Sequence, residues 1–163
     1  AKGYKSANFH GIGTHYPAVQ DILKYVVDKG KSSVKDRSRV GENLYMRGVF
    51  NSVLIAESIR TAQSKFGNRV INGEEMRWGM ENLNLTSARM AEIGLPGFTN
   101  PIKVSCDDHA NNGPIFIQQW NGTSWERVSG WINSMDRVRP MLEKAAADYK
   151  AKNNIPERTI PCS

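Results

Sequence analysis

Apolar side chains recur between residues 40 and 67 at the spacing of a helix face. Val49, Val53 and Ala56 run down one side, with Ile55, Ile59, Ala62 and Phe66 beside them, and Gly67 follows as a stop signal. The pattern predicts a long helix whose broad apolar face requires burial, best against a sheet. Its entrance is polar. Asn43, Tyr45 and Arg47 bring an amide, a phenol and a guanidinium to the point where the chain enters the helix, a place where binding residues often sit.

The remaining pattern alternates strands and helices. Ala7 to Gly13 reads as a short strand ending in glycines, and His15, Tyr16 and Pro17 lie at its C-terminal end. Gly11 and Gly13 lack the third glycine of a dinucleotide fingerprint, so they mark a tight turn. Val19, Ile22, Leu23, Val26 and Val27 then sit at i, i+3, i+4, i+7 and i+8 of an amphipathic helix that Gly30 ends. Lys31 to Arg39 is a polar linker. Asn72 with Glu75 forms a capping box for a helix over 73–82, and Thr86 opens a short helix to Ile93, with Gly94 beyond. Ile102–Ser105 and Pro114–Trp120 read as strands flanking a polar stretch, Cys106–Gly113. Asn121-Gly122 joins residues 115–120 to 123–131 as a hairpin, and Pro140 suits the first turn of a last helix over 141–152. Strand followed by helix is half of an α/β unit, so the fold class is α/β.

Composition narrows the function classes. At 163 residues, with 39% hydrophobic and 23% charged residues, the chain is long enough for one domain with a real core. The net charge is +6, yet the densest basic cluster, Lys29 to Arg39, has no interleaved aromatics and reads as a solvated loop, so no nucleic-acid partner is expected. No nucleophile elbow, HExxH, phosphate loop or CxxC pair is present, and the three histidines have no nucleophile placed beside them by motif. Neither an enzyme nor a cofactor is expected. Asp107, Asp108 and His109 are adjacent, a spacing that rarely converges on one metal ion, and they read as a polar crossing. Cys106 and Cys162 would be two separate thiols in a reducing compartment. In an oxidising one they would close a loop of about 55 residues, contributing roughly 4 kcal/mol.

Four stretches in this order carry a family resemblance: GTHYPAVQDILKYVVDKGK, GENLYMRGVFNSVLIAESIRTAQ, GEEMRWGMENLNL and PIKVSCDDHANNGPIFIQQWNGTSWERVSGWI. Together they resemble the C-terminal part of the periplasmic solute-binding proteins of ABC transporters, in the branched-chain amino acid (Leu/Ile/Val-binding) family. That family is longer, so the resemblance implies a fragment of a two-lobed, type I periplasmic-binding-protein fold with a C-terminal β-hairpin and tail helix. It implies that residues 1–39 belong to lobe 2, 40–105 to lobe 1, 106–133 to a crossing and the lobe 2 hairpin, and 134–163 to the C-terminal helix and tail. The implied function is capture of an amino acid or small carboxylate by lobe closure and delivery to a membrane permease, without covalent chemistry. A ligand-sensing domain of the same fold in a receptor or regulator is the alternative. Residues implied at the cleft are Asn43, Leu44, Tyr45 and Arg47, together with His15 and Tyr16, which follow the lobe 2 strand. The implied periplasmic location favours a Cys106–Cys162 disulfide, and a chain lacking its partner segments is expected to self-associate through exposed apolar surface.

Overall fold

A computed structural model describes residues 2–110, 113–133, 135–157 and 159. Its elements are β1 (Lys5–Asn8), α1 (Pro17–Ile22, prolonged by a π-helical stretch, Leu23–Val27), a 3-10 turn at Arg37–Arg39, α2 (Asn43–Phe66) and α3 (Gly73–Glu81). There follow β2 (Asn84–Leu85), α4 (Ser87–Glu92), β3 (Ile102–Lys103), β4 (Phe116–Trp120), β5 (Trp125–Arg127) and α5 (Met135–Lys152). The chain is mixed α/β. It divides into two compact units, residues 10–105 and residues 1–9 with 106–163.

In the first unit, Pro17 starts α1 where a missing N–H costs nothing. Val19 and Leu23 of this helix share one core with Val40, Met46, Leu85, Met90, Leu95 and Phe98. The expected change of lobe at Val40 is therefore not a boundary between compact units, because residues on both sides of it bury their side chains together. Residues 106–163 group with residues 1–9.

The long helix forms and stops at Gly67 (φ 98°), as the pattern required. Its packing differs from expectation. The helix packs on α3, and its buried positions are Met46, Glu57, Ser58 and Ala62; Val49 and Val53 are half-buried against the core, while Ile55 stays 54% exposed. Small residues decide this: a Cβ on Gly79 of α3 would lie 2.2 Å from the Ser58 carbonyl oxygen, so the helices approach where side chains are smallest. The α3 capping box is complete, with Glu75 N–H donating to Asn72 Oδ1 at 3.0 Å and Asn72 N–H donating to Glu75 Oε2 at 2.9 Å. Thr86 caps α4 through the Arg89 N–H. Strand β3 falls within the strand expected over 102–105, and its partner β2, which sets Leu85 opposite Ile102, has no separate pattern in the sequence.

The second unit holds the antiparallel sheet β1-β4-β5, in which Ala7 faces Ile117 and Gln118 faces Arg127. The hairpin exists, but its loop has four residues rather than two, since Trp120 pairs with Trp125. The Asn121 side-chain oxygen accepts the N–H groups of Thr123 and Ser124, both at 2.8 Å, which closes the longer loop. The arm expected over 123–131 is regular only at Trp125–Arg127, and Arg127 stacks on the rings of Phe116 and Trp131 at 4.6 and 4.7 Å. Helix α5 begins at Met135, so Pro140 lies inside it rather than in its first turn. Asp136 in that first turn complements the helix dipole and favours the earlier start. Cys106 carries no free thiol, and its expected partner, Cys162, lies outside the described residues.

Candidate functional site

Two glycine contacts bring the segment after β1 against the entrance of α2. The Gly13 N–H donates to the Gly41 carbonyl at 2.8 Å, and a Cβ on Gly41 (φ 94°) would meet the Gly13 backbone at 2.9 Å. Gly11 makes a second close approach, donating its N–H to the Phe98 carbonyl at 2.6 Å and leaving room for the Tyr16 hydroxyl where a Cβ would stand. A side chain at these positions would push the two loops apart.

Beneath this junction lies His10, wholly buried. Its ring stacks on Phe98 and Phe50 with centroids 5.5 and 6.0 Å away. Arg47 Nε, which can only donate, lies 2.7 Å from His10 Nε2, so Nε2 accepts and the ring proton sits on Nδ1, donating to the Gly11 carbonyl at 2.9 Å. The imidazole is neutral in this arrangement. Burial holds its pKa below the ordinary 6.5; the Gly11 hydrogen bond opposes the shift and the Arg47 charge adds to it. A depressed folded-state pKa means that the unfolded chain binds more protons, so the stabilisation is complete above pH 6.5 and declines as pH falls toward the folded value. His10→Phe, which keeps the stacked ring, is expected to flatten that part of the stability–pH curve, measured by urea unfolding between pH 7.5 and 5 (roughly the histidine window). An unchanged curve would show that another group controls it.

The cleft residues named from the sequence separate into different places. Asn43 and Arg47 are one helical turn apart and share a face of α2. Tyr45 stands about 200° around the helix from Arg47, so the two leave α2 in different directions. Tyr45 and Leu44 instead border a groove of ≈ 1100 Å³ lined by Pro17 and Ile22 of α1, Val49, Val53 and Ala56 of α2, and Leu95. Val49 and Val53, read as part of a core seam, thus pack partly on the core and partly line this groove. Tyr16 is a core residue, 6% exposed and edge-on to Phe98 at 5.4 Å, and the His15 ring lies 4.0 Å from it. Sequence reasoning missed His10, because nothing in a strand ending Phe9-His10-Gly11 links it to an arginine 37 residues later.

Glu57 borders the same groove and joins two helices. Arg89 of α4 donates Nε and Nη2 to its two carboxylate oxygens at 2.9 and 2.8 Å, and Arg60 adds a bond at 3.3 Å. The paired guanidinium holds the Glu57 carboxyl below its ordinary pKa against the opposing cost of burial.

No protein-family model matches the chain, and no curated protein matches it. Among solved structures, one described as an ABC transporter permease from the Pseudomonas fluorescens group is 37% identical, with a TM-score of 0.88 over 99% of this chain and 39% of that one. A second, a branched chain amino acid ABC transporter from Thermus thermophilus with bound valine, is 16% identical, with a TM-score of 0.63 over 87% of this chain and 36% of that one. This chain spans well under half the length of either, and the second likeness is one of fold. The proteins whose structures it matches are components of ABC transporters.

Proposed function

We propose that these residues form part of the extracytoplasmic, periplasmic solute-binding component of an ABC importer, with the type I periplasmic-binding-protein fold of the branched-chain amino acid family. The observation that carries this reading is the 37% identity to an ABC transporter component across 99% of the chain. The fold likeness to a transporter structure holding valine supports an amino acid or small carboxylate as cargo. No helix of the described residues is long and apolar enough to cross a membrane.

Capture requires only differential affinity: ligand stabilises a closed arrangement of two lobes, and a permease in the membrane recognises it. No residue performs covalent chemistry in this role. The entrance of α2 suits an anionic group. It is the N-terminus of a 24-residue helix on which Asn43 and Arg47 share one face, and the carboxylate of its N-cap residue, Glu42, is engaged by Arg39 at 3.1 Å. Arg47 and Asn43 are assigned to the ligand carboxylate. Tyr45 and Leu44 border the neighbouring apolar groove, while His15 and Tyr16 shape the loop beneath the entrance.

The test is a thermal-shift screen of the full-length protein against amino acids, small aliphatic carboxylates and aromatic acids. A bound compound at about 100 times its dissociation constant stabilises the fold by roughly 2.7 kcal/mol. Arg47→Ala is expected to abolish that shift. Silence across all three libraries would overturn the capture reading.

A further inference from the structure

We infer that His10 is a positioning residue for ligand capture, a buried acceptor that fixes the Arg47 guanidinium at the entrance of α2. The inference rests on the carboxylate-capture reading above. Three features set His10 apart from a histidine that merely fills a core. Both ring nitrogens are engaged, Nδ1 with the Gly11 carbonyl and Nε2 with Arg47. The ring is wholly buried and stacked on both Phe50 and Phe98. Gly11 is itself held, through its N–H, to the Phe98 carbonyl. The ring therefore cannot turn away without breaking several contacts at once, and its Nε2 lone pair points in one direction.

A long arginine side chain spends considerable rotamer entropy when it is fixed, and an acceptor already in place removes part of that cost from the binding step. With Nε on His10, a carboxylate taken by Arg47 is taken end-on, through Nη1 and Nη2, in exchange for whatever they hold in the unliganded protein. The planar fork then presents two parallel donors in one orientation, which suits a carboxylate better than a point charge would.

Two substitutions separate positioning from packing. His10→Phe keeps the stacked ring and deletes the acceptor. His10→Gln removes the ring and offers a side-chain oxygen near the place of Nε2. Two readouts are used on the full-length protein: the Arg47 Nε–H signal in proton–nitrogen NMR, assigned by its loss in Arg47→Lys, and the affinity for L-valine and for benzoate by calorimetry. The Arg47 signal is expected to be sharp and slowly exchanging in the natural protein and in His10→Gln, and exchange-broadened in His10→Phe. Affinity for whichever probe binds is expected to fall about tenfold in His10→Phe and to recover most of that in His10→Gln, the scale of one hydrogen bond to a charged group. An Arg47 signal unaffected by His10→Phe, or an affinity unchanged in His10→Phe but abolished in Arg47→Ala, overturns the positioning role alone. Binding that survives Arg47→Ala removes Arg47 from the carboxylate, and this inference with it, while leaving capture standing; no binding of either probe or of any compound in the three libraries overturns the capture reading itself.

Discussion

Replacing Glu57 with glutamine is expected to destabilise the fold by about 2–3 kcal/mol, well beyond the ~0–1 kcal/mol of an ordinary surface ion pair. Burial makes the difference. Glu57 is 8% exposed, and its partner Arg89 has a side chain only 21% exposed, so neither group recovers full hydration when the pair is broken. The bond is two-pronged, and Glu92 holds the far side of Arg89 at 2.7 Å, which fixes the guanidinium plane. Glutamine keeps the volume but turns one oxygen into an amino group aimed at Arg89, so a donor faces a donor. What comes loose is the tie between α2 and α4 at the rim of the groove.

The same pair has a pH signature. The folded-state pKa of Glu57 lies below its ordinary value of 4.5, so its contribution is complete above pH 4.5 and is lost as pH falls toward the folded value. Urea unfolding of the natural protein and of Glu57→Gln should stand fully apart above pH 4.5 and draw together as pH falls below it toward the folded-state pKa. A double substitution, Glu57→Leu with Arg89→Leu, should cost less than the sum of its parts, because no uncompensated charge remains. A single-variant loss under about 0.5 kcal/mol would show the pair to be an ordinary surface bridge.

What could be read from the sequence was what neighbouring residues decide. The Asn72–Glu75 box, the Thr86 cap, the stops at Gly67 and Gly94 and the tryptophan-rich hairpin all depend on positions a few residues apart, and each formed. Errors arose where a distant residue chooses. On α2 the predicted stripe of Ile55, Ile59, Ala62 and Phe66 does reach α3 at Ala62 and at Phe66, which stands edge-on to Trp78, but Gly79 also draws in Ser58, a polar residue that no apolar pattern marks. The hairpin loop lengthened because the Asn121 side chain closes it, which a two-residue turn does not need. The site fared similarly. Grouping Tyr45 with Arg47 followed their closeness in the chain, although helix geometry sets them on different faces. The His10–Arg47 bond spans 37 residues and leaves no local trace.

Gly79→Ala is expected to cost about 2–4 kcal/mol, although helix propensity alone predicts a gain of roughly 1 kcal/mol for the same change. The new Cβ would stand 2.2 Å from the Ser58 carbonyl oxygen, 2.9 Å from the Ala62 Cβ and 3.2 Å from the Ala62 nitrogen. Two of these three atoms are backbone within the 24-residue α2, so no rotamer change relieves the clash and the helices must move apart. Separation weakens the packing along the whole α2–α3 contact. Gly48 is the internal control. It lies in the same long helix with no atom within 4 Å of an added Cβ, so Gly48→Ala should be neutral or stabilising by up to about 1 kcal/mol. Urea midpoints for the two variants should therefore move in opposite directions. If Gly79→Ala behaves like Gly48→Ala, the helices are not in contact at Ser58 and Ala62, and the account of how α2 packs fails with that contact.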